Sequence, residues 1–145
     1  LNSGFTHVQW YGRGPHESYP DRKDSAFVDV YTEETTHLFH PYIRPQENGN
    51  RSDIRWLCLT GEQMPVIKIM GENTFNFSIH HCSLENLTKA KHTDEIHWEA
   101  APYLYLDLEQ TGLGSNACGP DTLLEYRLEP KKLSTLFRFS LIKEC

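Results

Sequence analysis

Eight histidines and twenty acidic residues are the side chains of this sequence most able to do chemistry. His37-x-x-His40, His80-His81-Cys82, His92 and His97 are the groupings that could ligate a metal. A metal site needs three or four ligands that converge with fixed tautomers, and none of these spacings is a strong ligand pattern. On a strand, His80 and His81 point to opposite faces and do not easily share one ion. The expectation is surface or hydrogen-bonded histidines and no metal site. Paired carboxylates are the other route, because hydrolysis of a glycosidic bond takes two of them about 5–10 Å apart, one as acid and one as nucleophile or base. Glu17, Asp21, Asp24, Glu47, Asp53, Asp107, Glu109 and Asp121 are available, but no spacing rule pairs any two of them. Glu33-Glu34 reads as a solvated turn.

Two loops are richer than the isolated residues. Tyr42-Ile43-Arg44-Pro45-Gln46-Glu47-Asn48-Gly49-Asn50-Arg51 gathers two arginines, a carboxylate and three amides around Pro and Gly. Tyr11-Gly12-Arg13-Gly14-Pro15-His16-Glu17-Ser18-Tyr19-Pro20-Asp21-Arg22 has the same character. Such loops must satisfy many donors and acceptors at once. They could recognise a sugar or a carboxylate. The favoured reading is a self-hydrogen-bonded loop that holds strands in register. Gly112 to Pro120 is a third glycine-rich loop, but no Lys-Ser/Thr and no helix follow it, so it is no phosphate cradle. Asn50-Arg51-Ser52, Asn76-Phe77-Ser78 and Asn86-Leu87-Thr88 are glycosylation triplets short enough to arise by chance.

The elements that must carry these loops alternate with period two. Val8-Gln9-Trp10-Tyr11, Ala26 to Tyr31, Ile54 to Leu59, Val66 to Ile69, Tyr103 to Glu109 and Leu136 to Leu141 read as strands, and Phe75, Phe77 and Ile79 mark the most clearly amphipathic one. Gly71-Glu72-Asn73 reads as the end of the Val66 strand. Ser83 to Ala90, with Ser83 as N-cap and Leu84 and Leu87 at helical spacing, is the one short helix. Seven or so short strands give an all-β antiparallel sandwich in a single domain spanning 1–145.

Composition narrows the function classes. With 14 Lys+Arg against 20 Asp+Glu the net charge is −6, which argues against a sequence-independent grip on nucleic acid. No apolar run approaches the roughly 20 residues of a membrane-spanning helix. The four cysteines, Cys58, Cys82, Cys118 and Cys145, show no C-x-x-C spacing, and free thiols are expected. The chain begins at Leu1 and ends right after a strand-like run, as a piece of a longer protein would.

The two loops also carry a resemblance. Trp10 to Arg22 resembles the W-x-G-x-G-P-x-E-x-Y-x-D-R stretch of the large bacterial β-galactosidases of glycoside hydrolase family two. Pro41 to Arg51 resembles their P-Y-x-x-P-x-E-N-G-x-R stretch, and Gly112-Leu113-Gly114 sits where the family has G-[IL]-G. Order and spacing agree along essentially the whole chain. The match is to the second half of the C-terminal, or small-chain, domain, an antiparallel β-supersandwich similar to galactose mutarotases.

The resemblance implies a parent enzyme that retains configuration while hydrolysing terminal β-D-galactosides. Its two catalytic glutamates and its magnesium (with sodium as a further possible ion) belong to a (β/α)₈ barrel that nothing here matches. The upstream sugar-binding, immunoglobulin-like and barrel domains are absent, so no catalytic residue, metal or cofactor is expected within these residues. The implied role is to shape the active-site rim and to pack against the barrel or a neighbouring subunit of a homo-oligomer. Its implied partners are the β-galactoside and the rest of the polypeptide, not nucleic acid or membrane. The compartment, cytoplasmic or periplasmic in a bacterium, stays open. In well-known members the third loop reads G-[IL]-G-G-D-D-S-W, with the Trp as a stacking platform for sugar. Gly119 stands at that position here, and Asn116 and Cys118 are the rim candidates beside it. Arg13, Glu17, Asp21, Arg22, Arg44, Glu47, Asn48 and Arg51 are the structural residues of the motif loops. A stand-alone carbohydrate-binding module is the alternative, and an aldose mutarotase a third reading from fold analogy alone.

Overall fold

His7–Gly14 forms β1, and every second side chain along it, from Val8 through Trp10, is buried. The computed structural model describes residues 1–114 and 119–145. Around β1 lie β2 (Phe27–Glu34), β3 (Arg51–Thr60), β4 (Val66–His80), β5 (Tyr103–Asp107) and β6 (Phe137–Ile142). All join one six-stranded antiparallel sheet in the order β2-β1-β3-β4-β5, with β6 also paired to β4. The all-β antiparallel class is therefore as expected. So is the single α-helix, α1 (Leu84–Lys89), where the Ser83 hydroxyl caps the first turn by accepting from the Asn86 N–H at 3.2 Å.

β4 organises the sheet. Its first half, Val66 to Gly71, pairs with β6, and its second half, Asn76 to His80, pairs with β5. Along its other side runs β3. The expected strand end at Gly71-Glu72-Asn73 is instead a bulge within one continuous strand. Between the pairs Trp56↔Met70 and Ile54↔Phe75, β3 advances two residues and β4 five. The Glu72 N–H keeps the ladder going by donating to the Leu136 carbonyl at 2.9 Å.

One face of the sheet holds the core. Val8, Trp10, Leu57, Leu59, Ile69, Phe77 and Ile79 lie there, closed over by Phe5 and Leu38 from the loops. Trp10 anchors it: its ring meets Phe77 edge-on at 5.6 Å and Tyr31 at 5.5 Å, and its indole N–H donates to the Arg13 carbonyl at 3.0 Å. Truncating a residue so placed typically costs ~3–5 kcal/mol. A smaller cluster of Cys82, Leu87, Ala90 and Ile96 sits under α1.

The core face is not covered to its end. Phe139 pairs with buried Ile69 and Leu141 with Ile67, so both lie on the core side of the sheet. They are nonetheless 61% and 73% exposed. An exposed apolar face of this kind marks a surface suited to contact with a further layer or partner.

The cysteines differ from expectation. Cys58 and Cys145 are joined in a disulfide across 87 residues, while Cys82 is free and buried. β6 ends beside Val66, and the residues beyond it bring Cys145 back across β4 to Cys58 on β3. Sequence spacing does not register such a long-range approach. Cys118 lies outside the described residues.

Candidate functional site

β1 delivers the first motif loop and β3 begins at the end of the second, so the two loops leave the same end of adjacent strands. The glycines of Tyr11-Gly12-Arg13-Gly14 are dictated by crowding. A Cβ on Gly12 would collide with Ile54, and one on Gly14 would lie 2.8 Å from the Tyr31 ring and 3.0 Å from that of Trp10. Arg13, just beyond Trp10, forms an ion pair with Asp53 and donates to the carbonyls of Ala26 at 2.8 Å and Lys23 at 3.1 Å. That fixes the return of the loop into β2.

Glu17 is the hub between the loops. Its buried carboxylate accepts from Arg22 Nη1 at 3.0 Å, from the Tyr42 hydroxyl, and from the Gly49 N–H at 2.8 Å. Gly49 has φ +72°, a backbone state that favours glycine, and a Cβ there would meet the Leu38 carbonyl at 2.7 Å. Next to it, Asn48 closes its own turn, accepting from the His40 N–H at 3.0 Å and donating to the Gln46 carbonyl at 2.9 Å. Asn50 and Ser18 exchange bonds: the Ser18 N–H donates to the Asn50 carbonyl and the Asn50 amide to the Ser18 carbonyl, both at 2.8 Å.

Arg51 closes the set. Its guanidinium donates to the carbonyls of Gly49 at 2.7 Å, Leu38 at 3.1 Å and Pro15 at 3.0 Å, and lies 5.6 Å from the centre of the Trp10 ring. Burial pulls this group down to about 10, against the opposing pull of Glu17. Burial and the Arg51 charge together push His80 down to about 4, so the ring is neutral at pH 7. Tyr19 is raised well above the usual phenol value by burial and by Glu47.

Asp21 reaches the third loop. Its two carboxylate oxygens accept from the N–H groups of Leu113 at 3.0 Å and Gly114 at 2.8 Å. Further ties hold the base of that loop: Gly112 N–H to the Tyr126 carbonyl at 2.8 Å, and Thr122 hydroxyl to the Gly112 carbonyl at 3.0 Å. Arg127 donates to the Thr122 carbonyl and pairs with Asp121, both at 2.7 Å. Gly119 is exposed. Asn116 and Cys118, the other rim candidates, lie outside the described residues. Arg44 is exposed, and among the described residues nothing hydrogen-bonds to it.

The chemistry open to this set is limited by its own bonding. Glu17 accepts from three donors, and the two terminal Arg51 nitrogens serve three carbonyls, while the buried Arg51 Nε finds no acceptor among the described residues. Glu47 differs: burial, then the charges of Asp107 and Glu17, raise it to about 7, and among the described residues its hydrogen bond is a long one, 3.5 Å, from the Tyr19 hydroxyl. Burial raises Asp107 as well. The 430 Å³ cleft beside Asn76 and Glu109 is lined by neither Glu47 nor Asp107. Among the described residues no group of three or more His, Cys, Asp or Glu could hold a metal ion.

The class the fold defines is an antiparallel all-β module whose motif loops brace one another. A family model described as the β-galactosidase small chain matches residues 1–141. The chain belongs to that family. It is 34% identical over 142 residues to a β-galactosidase of Staphylococcus xylosus, covering 98% of this chain and 14% of that protein. Against the β-galactosidase of Arthrobacter sp. (strain B7) it is 37% identical over 136 residues, 90% of this chain and 13% of the relative. Against that of Vibrio cholerae it is 43% identical over 109 residues, 75% and 10%. The chain thus spans about a seventh or less of the relatives it matches.

Proposed function

We propose that this chain is the non-catalytic small-chain part of a retaining β-galactosidase, a glycoside hydrolase acting on terminal β-D-galactosides. Its work is to hold the 112–120 loop at the rim of an active site formed elsewhere in the polypeptide. The supporting observation is the Asp21 carboxylate, which ties the first motif loop to the backbone of Leu113 and Gly114. The relatives' names supply the activity, and the three donors on Glu17 and the three carbonyls served by Arg51 suit a bracing role. The apolar face at Phe139 and Leu141 is where the rest of the polypeptide, or a neighbouring subunit of a homo-oligomer, would pack. Magnesium expected of the parent enzyme finds no ligand group among the described residues.

The test is hydrolysis of a nitrophenyl β-galactoside. The 145-residue chain alone should give no turnover, and the complete polypeptide that carries it should give turnover. Turnover by the chain alone, lost on replacing one of its own carboxylates, would overturn the reading.

A further inference from the structure

A cavity of about 510 Å³ opens beside Trp98. That volume is within the range of about 300–1,000 Å³ typical of small-molecule sites. Trp98 is 48% exposed, and no described residue accepts from its indole N–H. The ring is held from behind, because Phe39 meets it edge-on at 5.0 Å and 85°.

The backbone beside it is clamped. The Glu99 N–H donates to the His81 carbonyl at 2.7 Å, and the His81 ring Nδ1 donates back to the Glu99 carbonyl at 3.0 Å. The other ring nitrogen, Nε2, bonds the Thr35 hydroxyl at 3.0 Å, so both ring nitrogens are held. A wide aromatic face is thereby presented rigidly, with little ordering cost on binding.

The rim is polar. Glu34, Thr36, His81 and Glu99 surround the ring. The Glu34 side chain is 52% exposed, with the Thr36 hydroxyl at 3.4 Å and His37 Nε2 at 3.8 Å from its Oε2. The Glu99 carboxylate takes the Tyr103 hydroxyl at 2.9 Å yet keeps further lone pairs to accept with. Two carboxylates at the mouth disfavour an anionic ligand and accept well from hydroxyl groups. An apolar face next to hydroxyl-matching acceptors fits a ligand with one flat C–H face and an edge of hydroxyls.

We propose that Trp98, backed by Phe39 and rimmed by Glu34 and Glu99, binds a neutral pyranoside. This site is separate from the rim loop of the proposed function and stands whether or not that loop serves an active site. The indole stacks on the ring's C–H face, and the carboxylates accept from its hydroxyls.

Calorimetric titration of the full 145-residue chain with methyl β-D-galactopyranoside tests it, with lactose as a second probe. The expected result is saturable binding at about millimolar sugar. Trp98→Ala should weaken it tenfold or more and Glu34→Gln severalfold. Trp56→Phe should leave it unchanged, since Trp56, under Lys68, does not line this cavity. No saturation by about 50 mM of either sugar, or wild-type affinity in Trp98→Ala, overturns the proposal. Equal loss in Trp98→Ala and Trp56→Phe also overturns it, because the effect would then be general unfolding.

Discussion

Replacing Glu17 with glutamine removes a charge and one acceptor while keeping the shape. The side chain is 3% exposed, so water cannot compensate. Arg22, half exposed, contributes little through its ion pair, roughly 0–1 kcal/mol. The Gly49 N–H matters more, being buried and having the Glu17 Oε2 at 2.8 Å. A glutamine that keeps its oxygen toward Arg22 and Tyr42 turns its NH₂ against that N–H, and an unmet buried donor costs ~1–3 kcal/mol. Turning the amide over opposes NH₂ to the guanidinium instead. The expected loss for Glu17→Gln is therefore about 2–3 kcal/mol, or a Tm lower by roughly 5–10 °C in a domain of this size. Tyr42→Phe, which removes one donor and leaves two, should lose about 1 kcal/mol. Arg44→Ala should stay within about 0.5 kcal/mol as an exposed control. Urea unfolding followed by near-ultraviolet circular dichroism reads all three. If Glu17→Gln is as stable as Arg44→Ala, the hub reading of Glu17 is refuted.

The elevated Glu47 makes a pH prediction. A carboxyl raised from 4.5 to about 7 on folding stabilises fully below pH 4.5 and loses that contribution as pH rises through about 7; Glu47→Gln should accordingly gain on the wild type across that window, and parallel urea midpoints from pH 4.5 to 7.5 would contradict this. Asp21→Asn leaves one acceptor for two N–H groups, so amide exchange at Leu113 and Gly114 should accelerate about tenfold or more while global stability changes little. Reducing the Cys58–Cys145 link reopens an 87-residue loop, with a loss of up to about 4 kcal/mol on chain-entropy grounds, and the non-reduced digest should contain the cross-linked peptide. Phe139→Lys should shift the urea midpoint by less than about 0.5 kcal/mol yet raise solubility, measured by polyethylene glycol precipitation, because the ring it replaces is 61% exposed.

What the sequence discloses is what repeats locally. Period-two alternation locates β1 and the second half of β4 because each buries one side against the same core. The Ser83 cap is legible since its partner, Asn86, is three residues away. The density of amides, arginines and carboxylates in the motif loops signals mutual hydrogen bonding, and Asn50, Asn48 and Arg51 are indeed held that way. The triplets at Asn50 and Asn76 make the same point, for both amides are buried and hydrogen-bonded to each other at 3.3 Å. Contacts between distant segments are not legible. Gly71 reads as a terminator until the partner strands show that β4 continues through a bulge. Cys145 pairs with Cys58 only because β4 brings β3 and β6 to either side of it. Nothing in the pattern around Trp98 sets it apart from a core aromatic; its exposure depends on the clamp between His81 and Glu99.

The motif loops and the apolar face make one architectural case together. Braced loops cost conformational entropy, and a fold retains such bracing where a backbone segment must be held in one place. Here the chain of bonds runs from the Trp10 core through Arg51 to the two motif loops, and from Asp21 to Gly114. That direction of support, from core outward to a loop base, suits a rim segment presented to something outside this chain. The uncovered side at Phe139 and Leu141 fits the same picture, because a sheet buries one face fully only when a second layer lies on it. Among the described residues, six strands have one core face closed by loops at one end and bare at the other, which leaves room for a second layer. On the function proposed above, the contribution of such a unit is positional: the Asp21 carboxylate fixes where the base of the third loop stands.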